Sequence, residues 1–255
     1  MLELINVSLE RPFALAPFSE QVRAGELLGL IGPNGAGKST LLSLISGYLH
    51  PGGGQIKLLG RELSGYLPVQ LARRRALVTQ QMDSAFDWRV EAFIALGQQH
   101  PGEPCPGIID ALDIRHLLGR GVLSLSGGEL QRVTIARAMN QLAVSPLTDA
   151  WNDGRGCLLL LDEPTSALDI GQQQNLMRVL RTLAGSPCIA VVCVLHDLNL
   201  AARYCDRLWL LENGRFCASG TPAQVLSEQR VAQVFGAQVR VAAGEQHKVS
   251  IELMP

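Results

Sequence analysis

Hydrophobic positions along this chain form short continuous runs in some places and helical repeats in others. Continuous runs bounded by glycine or polar residues predict buried strands, and they occupy residues 27–31, 76–79, 157–161 and 188–195. Such runs are typical of parallel strands that other elements cover on both faces. Apolar residues at helical spacing in 39–46 and 172–183 predict helices that follow or connect these strands. The pattern therefore predicts an α/β protein with a mostly parallel sheet.

The pattern of hydrophobic residues differs in other parts of the chain. A further strand is predicted at 55–59, and Asn213-Gly214 between the apolar runs 207–211 and 216–218 predicts a tight hairpin. Helical patterns broken by proline and glycine replace the strand signals between residues 82 and 141. This change indicates a helical subdomain inserted into the sheet-containing core.

The polar stretch 144–156 predicts an exposed loop, and the tail begins as a helix from Pro222 before its pattern becomes ambiguous. We expect a single domain over residues 1–255. Its parts are a core at 1–81 and 142–220, a helical subdomain at 82–141 and a C-terminal appendage at 221–255.

Composition narrows the class of protein. The 255 residues are 47% hydrophobic and 18% charged, which excludes a disordered or fibrous chain. A net charge of −1 argues against a broad nucleic-acid surface. The six cysteines are scattered without a CxxC pair, and no apolar run reaches the ~20 residues of a membrane span. We expect a cytoplasmic protein with reduced cysteines.

A glycine-rich segment carries the strongest chemical signal. Residues 32–39 fit G-x-x-x-x-G-K-[ST] between a predicted strand and a predicted helix. Backbone N–H groups of such a loop surround a phosphate at a helix N-terminus, Lys38 supplies a charge for the β- and γ-phosphates, and Ser39 is placed to coordinate Mg²⁺. The predicted nucleotide-binding residues are Gly32, Pro33, Asn34, Gly35, Ala36, Gly37, Lys38, Ser39 and Thr40.

Two acidic residues end the apolar run at 157–161. Asp162 and Glu163 lie where a parallel strand ends, which is the edge at which open α/β sheets bind ligands. Asp162 suits the Mg²⁺ shell, and Glu163 suits a general base that acts on water. Alone, such a pair is often only a solvated strand end, but its position beside the glycine-rich segment favours chemistry.

A helix start carries the third signal. Ser126 and Glu129 form a capping-box pattern around Gly127 and Gly128. Taken alone this pattern is an ordinary helix N-terminus, although two glycines there also leave backbone N–H groups accessible to an anion.

Together, these motifs resemble the nucleotide-binding subunit of ABC transporters over roughly residues 1–220. The family fold is a P-loop NTPase (RecA-like) core with an N-terminal antiparallel β part and an inserted helical subdomain. The segment 125–129 resembles the ABC signature, and the resemblance implies that it caps ATP bound to a second copy. Those signature residues are Leu125, Ser126, Gly127, Gly128 and Glu129.

The resemblance extends to further positions. Gln80 resembles the Q-loop glutamine that contacts Mg²⁺ and the attacking water, with adjacent Gln81 as the alternative. His196 resembles the switch histidine, which links to the γ-phosphate. The D-loop, which crosses to the partner's site, is matched by Ser166, Ala167, Leu168 and Asp169. An aromatic residue that stacks on adenine is usual in the first strand, but here the matching place holds Arg11, with Phe13 nearby.

The resemblance also implies partners and cargo. We expect a peripheral subunit on the cytoplasmic face of the inner membrane, working with a second copy of itself, two transmembrane permease subunits and, indirectly, a periplasmic substrate-binding protein, without nucleic acid. Phe86 and Trp88 are either core aromatics or receive a permease helix. The segment 193–202 is similar to importers of vitamin B12, haem and iron-siderophores, and we expect vitamin B12 as cargo, with haem or a ferric siderophore as the alternative. A non-transport ABC ATPase and a regulatory module without turnover are the other function classes.

Overall fold

The structure is a computed structural model, and it describes residues 1–11, 13–80, 85–97, 104–145, 156–243 and 249–254. Gln81, the start of the predicted helical subdomain at 82–84 and most of the predicted loop at 144–156 lie outside these ranges. Within them, no helix has both the length and the apolar character that crossing a membrane requires.

The strands are numbered in chain order. They are β1 (Leu2–Leu9), β2 (Leu15–Val22), β3 (Leu27–Ile31), β4 (Gly53–Leu58), β5 (Arg61–Glu62), β6 (Arg75–Val78), β7 (Cys157–Leu161), β8 (Ile189–Val194), β9 (Arg207–Glu212), β10 (Arg215–Gly220), β11 (Val239–Ala243) and β12 (Val249–Leu253). The helices are α1 (Lys38–Ile45), α2 (Pro68–Ala72), α3 (Val90–Ala95), α4 (Pro106–Ala111), α5 (Gly127–Leu142), α6 (Ile170–Ala184), α7 (Leu198–Tyr204), α8 (Pro222–Val225) and α9 (Glu228–Phe235).

The central sheet has the strand order β10-β9-β3-β8-β7-β6. All neighbours from β9 to β6 are parallel, whereas β10 pairs with β9 in antiparallel orientation. The predicted, mostly parallel sheet is therefore confirmed. The hairpin at β9–β10 is confirmed as well, because Asn213 and Gly214 have φ angles of 46° and 74°, as a tight turn between twisted strands requires.

Both faces of the central sheet are buried, which explains its continuous apolar runs. Along β7, Leu159 and Leu161 belong to a hydrophobic cluster on one face, and Leu158 and Leu160 belong to a second cluster on the opposite face. All of these leucines are fully buried. Alternation of side chains along a strand sends successive residues into different layers, so a polar residue at either kind of position would be desolvated.

The second sheet is antiparallel, with strand order β2-β1-β4-β5. Its apolar side chains share a cluster with helix α1 and with one face of the central sheet. Leu4 of β1, Leu41 of α1 and Leu160 of β7 belong to this one cluster. The expected N-terminal antiparallel part is confirmed, and it covers the sheet face that lies beside the glycine-rich loop.

Helices α3, α4 and α5 lie on the other side and form the helical part. Phe93, Ile109 and Met139 bury their side chains in the cluster that also covers the far face of the central sheet. The end of α5 is tied to the core, because the Gln141 side-chain amide donates to the carbonyl oxygens of Ala72 and Arg75 at 2.9 and 3.1 Å. This tie connects the helical part to the start of β6.

The tail forms helices α8 and α9 and then the hairpin β11–β12. The predicted helix start at Pro222 is confirmed, whereas the hairpin had no clear signal in the sequence. Val241 and Ile251 pair across it and lie partly buried against the core. The hairpin is therefore packed onto the rest of the protein.

Candidate functional site

The predicted site residues follow neighbouring parallel strands. The glycine-rich loop follows β3, His196 follows β8, Asp162 and Glu163 follow β7, and Gln80 follows β6. Because β3, β8, β7 and β6 are consecutive in the sheet, their carboxyl ends meet at one edge. The topology therefore brings together residues that are more than 160 positions apart in the chain.

The glycine-rich loop ends at the N-terminus of α1. Gly37 is the N-cap residue with a φ of 100°, a left-handed conformation that disfavours any other residue. A Cβ at Gly37 would also approach side-chain atoms of Leu15 and Phe13 to 2.9 Å. The N–H groups of the first turn of α1 thus directly follow a tightly packed loop. The helix dipole favours an anion at this N-terminus.

Lys38 begins this helix, and its side chain is buried beneath the loop. Its Nζ donates to the carbonyl oxygens of Gly32 and Pro33 at 2.8 and 2.9 Å. Burial lowers the pKa of Lys38, and the nearby carboxylates of Glu163 and Asp162 oppose that effect. The ammonium group is therefore desolvated but faces two negative charges across the site.

Asp162 is the buried carboxylate of the site. Its side chain is a hydrogen-bond partner of Ser39, and burial is the main cause of its raised pKa. Among the described residues, no hydrogen-bond partner is found for its buried Oδ1 atom. A buried oxygen left without a partner is costly, so this atom is suited to a cation.

Magnesium fits this pair of oxygen ligands. Mg²⁺ usually keeps several waters and binds one or two protein ligands together with substrate phosphates. In the described part of the chain, no cluster of three or more histidine, cysteine, aspartate or glutamate side chains forms a separate metal cage. The hydroxyl of Ser39 and the unsatisfied oxygen of Asp162 are two protein ligands, which is the number that Mg²⁺ usually takes beside waters and phosphates.

Glu163 lies at the centre of a hydrogen-bonded group. Its Oε2 accepts a hydrogen bond from Gln80 Nε2 at 2.8 Å, and its Oε1 forms a short contact with His196 Nε2. The backbone of Glu163 is left-handed, with a φ of 50°, which is uncommon for a residue with a side chain. The turn thus directs consecutive carboxylates apart: Asp162 is buried, and Glu163 meets Gln80 and His196.

The segment 125–129 forms the predicted capping box. Glu129 accepts a hydrogen bond from the Ser126 backbone N–H at 2.7 Å, which is the main cause of the lowered pKa of Glu129. The Ser126 side chain accepts in return from the Glu129 N–H at 3.4 Å. Arg120, which no sequence motif singles out, forms an ion pair with Glu129 at 3.1 Å and also donates to the Ser124 carbonyl oxygen.

The segment 166–169 lies between this helix start and Glu163. Ser166 donates through its hydroxyl to the Glu163 carbonyl oxygen at 3.0 Å, and Asp169 caps α6 by accepting from the Gln172 N–H at 2.8 Å. A Cβ at Gly128 would lie 2.8 Å from the Ala167 carbonyl oxygen. Within one chain, the start of α5 therefore packs against the segment 166–169, while the glycine-rich loop groups with Glu163 and His196.

The two candidates for adenine stacking differ in their surroundings. Phe13 is half-buried, and its ring lies over the backbone at Gly37 and Gly214, where an added Cβ would approach it to 2.9 and 3.3 Å. Arg11 is exposed to solvent. Phe13 is thus the aromatic group beside the glycine-rich loop.

Comparison with known proteins identifies the family. The sequence profile of the family described as ABC transporter matches residues 15–166, which is more than half of the chain. The chain belongs to the ABC transporter family. The predicted activity, ATP hydrolysis coupled to transport, and the predicted fold are confirmed for this ABC ATPase.

Two curated relatives of this ABC ATPase have the same name. It is 46% identical to the hemin import ATP-binding protein HmuV of Enterobacter cloacae, over 85% of its own length and 82% of that protein. It is 42% identical to the hemin import ATP-binding protein HmuV of Pseudomonas entomophila (strain L48), over 94% of each chain.

A solved structure agrees over the full length of the ABC ATPase. The match is to the structure of an inward-facing conformation of a putative metal-chelate type ABC transporter. The alignment covers 100% of this chain and 96% of the transporter's chain, with 26% identity and a TM-score of 0.75. The expected vitamin B12 specificity is wrong, because the similar curated relatives are named for hemin import. The likeness of the segment 193–202 is shared by importers of vitamin B12, haem and iron-siderophores, whereas the identity to the hemin import proteins extends over 85% and 94% of the chain.

Proposed function

We propose that this ABC ATPase energises the import of haem. Its 46% and 42% identity to two hemin import ATP-binding proteins is the observation that carries this proposal. A ferric siderophore is the second candidate cargo, which the likeness to a metal-chelate type transporter favours. The cargo itself is recognised by partner proteins, so residues of the ATPase respond to it only indirectly.

We further propose that the ATPase works as a pair of identical copies with two separate transmembrane permease subunits. It would bind peripherally at the cytoplasmic face of the inner membrane, while a periplasmic substrate-binding protein delivers the cargo. A core at 1–81 and 142–220 would hold the nucleotide, the helical subdomain at 82–141 would move against it, and 221–255 would form an appendage.

The site is proposed to bind ATP through the loop 32–40. Backbone N–H groups at the start of α1 would bind the phosphates, and Lys38 would exchange its two carbonyl partners for phosphate oxygens. Ser39, Asp162 and Gln80 are the residues that would hold Mg²⁺, which supplies charge neutralisation to the β- and γ-phosphates. For adenine, Phe13 is the better placed of the two stacking candidates, because it already borders the loop.

Hydrolysis is proposed to use Glu163 as the general base. Its carboxylate would take a proton from water while the water oxygen attacks the γ-phosphorus and the bond to ADP breaks. Gln80 and His196 hold this carboxylate from two sides, which orients it before any reaction begins. His196 would also stabilise charge that develops on the γ-phosphate.

A second copy is proposed to complete each site. Ser126 and Gly127 are exposed at the N-terminus of the 16-residue helix α5, and the closest neighbour of a Cβ at Gly127 would be Ala167 of the same chain. The Ser126 N–H donates to Glu129, but the N–H groups of Gly127 and Gly128 in the first turn of α5 have no partner within the helix and would be available to an anion from outside the chain. The segment 166–169 packs beside them and is proposed to cross to the same partner site.

The permease is proposed to dock where the helical part meets the core. A groove of about 690 Å³ opens there, and its lining includes Tyr48, Leu71 and Arg75. Tyr48 is 81% exposed. The groove also includes Gln141, which ties α5 to the start of β6, so a force that the permease applies here would act on both the helical part and the core.

Phe86 and Trp88, which do not line this groove, form an exposed edge-to-face pair, and their exposure favours docking over the core interpretation.

Asp162→Asn tests the magnesium assignment. Burial raises the pKa of Asp162 above its ordinary value of 3.8, so the charged carboxylate is disfavoured in the folded protein. The contribution of Asp162 to folding stability is therefore complete below pH 3.8 and is lost as the pH rises through the raised pKa. Removing the charge should therefore raise the unfolding midpoint at pH 7 by roughly 2 °C without ligand. The added stabilisation by Mg²⁺ with ATP should be lost, as thermal unfolding with and without both ligands would show.

The control for Asp162→Asn is Asp110→Asn, the same change at an exposed ion pair with Arg115. Exposed pairs contribute little, so this variant should keep the stabilisation by Mg²⁺ with ATP. If Asp162→Asn keeps it as well, Asp162 does not hold the metal.

Uptake measurements test the proposed cargo. The ATPase would be purified with its membrane permease, reconstituted into proteoliposomes and supplied with the matching substrate-binding protein. We expect ATP-dependent uptake of haem, with cobalamin as the negative control and Glu163→Gln as the inactive variant. Uptake of a ferric siderophore without haem would contradict the proposal and support the second cargo.

A further inference from the structure

The C-terminal hairpin β11–β12 is held at both of its edges by side chains of neighbouring helices. On one edge, Asn199 of α7 donates through Nδ2 to the Ile251 carbonyl oxygen at 3.1 Å and accepts at Oδ1 from the Ile251 N–H at 2.8 Å. On the other edge, Glu228 of α9 accepts from the Val241 N–H at 2.9 Å. Val241 and Ile251 are cross-strand partners, so these bonds satisfy three of the four outward-facing backbone groups of one pair.

Helix α7 connects this hairpin to the catalytic edge of the sheet. It begins at Leu198, two residues after His196, and Asp197 caps it by accepting from the N–H groups of Asn199 and Leu200. Leu200 and Ala201 are buried in the core. The exposed side of the first turn of α7 is therefore the side on which Asn199 forms hydrogen bonds with the hairpin.

The position of His196 depends on this short stretch of backbone. Its side chain is 41% exposed, and its ring nitrogen contacts Glu163. The residue before it is fixed in the sheet, since the Leu195 N–H donates to the Leu30 carbonyl oxygen at 3.1 Å. The backbone after His196 leads directly into the turn that Asp197 caps and Asn199 anchors.

We propose that Asn199 is a positioning residue for hydrolysis, and that the C-terminal hairpin acts through it to hold His196 against Glu163. The two reciprocal bonds to the backbone N–H and carbonyl groups of Ile251 fix the rotation of the first turn of α7, which a single bond would not do. The appendage thus forms part of the support of the hydrolytic site. This inference rests on the proposed role of His196.

Steady-state ATP hydrolysis by the full-length chain, combined with thermal unfolding, tests the inference. Asn199→Ala should lower kcat roughly three- to tenfold while KM for ATP stays within about twofold, because His196 would be misplaced while the loop 32–40, which is proposed to bind the phosphates, is unchanged. Asn199→Asp keeps the acceptor for the Ile251 N–H but loses the donor, so an intermediate kcat is expected. The matched control is Glu228→Ala, which frees the opposite edge of the same hairpin and should leave kcat within about twofold of wild type.

A double variant shows whether Asn199 acts through His196. In Asn199→Ala/His196→Ala, kcat should equal that of His196→Ala alone, because the second change removes the group that the first one misplaces. Additive losses would overturn the inference, and so would equal losses of kcat in Asn199→Ala and Glu228→Ala. An unchanged rate in His196→Ala would instead reject the proposed site, whereas a loss there with a wild-type rate in Asn199→Ala would reject only the positioning role.

Discussion

Glu163→Gln is expected to lower ATP hydrolysis at least roughly 100-fold while ATP binding is retained. The glutamine still has a carbonyl oxygen that can accept from Gln80 or His196, so the local packing is preserved. It is a far weaker base than a carboxylate, and water then keeps its proton. Phosphate release under saturating ATP measures the loss, and calorimetry measures the retained binding.

The control for Glu163→Gln is Glu91→Gln, the same change of charge in the helical part. Glu91 accepts a hydrogen bond from the Gly119 N–H at 2.8 Å, and a glutamine oxygen can do the same. Its rate should stay close to that of the wild type. Normal turnover by Glu163→Gln would reject the general-base assignment.

Lys38→Ala is expected to weaken ATP binding roughly 10- to 100-fold, the range for a charge-assisted bond to phosphate. The side chain is buried beneath the loop that begins at Gly32, and burial lowers its pKa, so the ammonium is poorly solvated there. Its removal should therefore change the unfolding midpoint without nucleotide by no more than about 3 °C. Isothermal calorimetry with ATP and Mg²⁺ gives the change in affinity.

Lys57→Ala provides the matched control for Lys38→Ala. Lys57 lies on β4 of the antiparallel sheet, which is separate from the central sheet whose strand ends form the site. Its substitution should leave ATP affinity unchanged. Equal affinities of all three proteins for ATP would remove the role assigned to the glycine-rich loop.

The strands of the central sheet were predictable because burial on both faces leaves a strong local signal. The run 157–161 matches β7 at both ends, and 188–195 exceeds β8 by one residue at each end. Residues of the site were predictable where a motif couples chemistry to a strand end, as at Lys38 and Glu163. The hydrogen bonds that join Glu163 to Gln80 and His196 were not, since these residues follow neighbouring strands that lie far apart in sequence, and neither was the left-handed φ of Glu163.

The C-terminal hairpin and the cargo were less predictable for different reasons. Strand β12 has the weak burial pattern of an exposed strand, and its attachment depends on Asn199, which lies 52 positions from Ile251. Sequence periodicity carries no signal for such a contact. The vitamin B12 prediction was wrong because the segment 193–202 resembles importers of vitamin B12, haem and iron-siderophores alike, so it does not distinguish their cargo.

The mass of Glu163→Gln in solution, measured by light scattering with and without ATP and Mg²⁺, tests most directly whether two copies enclose the nucleotide. We expect a single chain of 27.5 kDa without nucleotide and twice that mass with ATP, because slow hydrolysis traps the closed pair. The pair should be lost when Gly128→Ala is added, since its Cβ would strike the Ala167 carbonyl oxygen beside the signature. A single-chain mass at saturating ATP, together with full hydrolysis by isolated wild-type chains, would contradict the shared site.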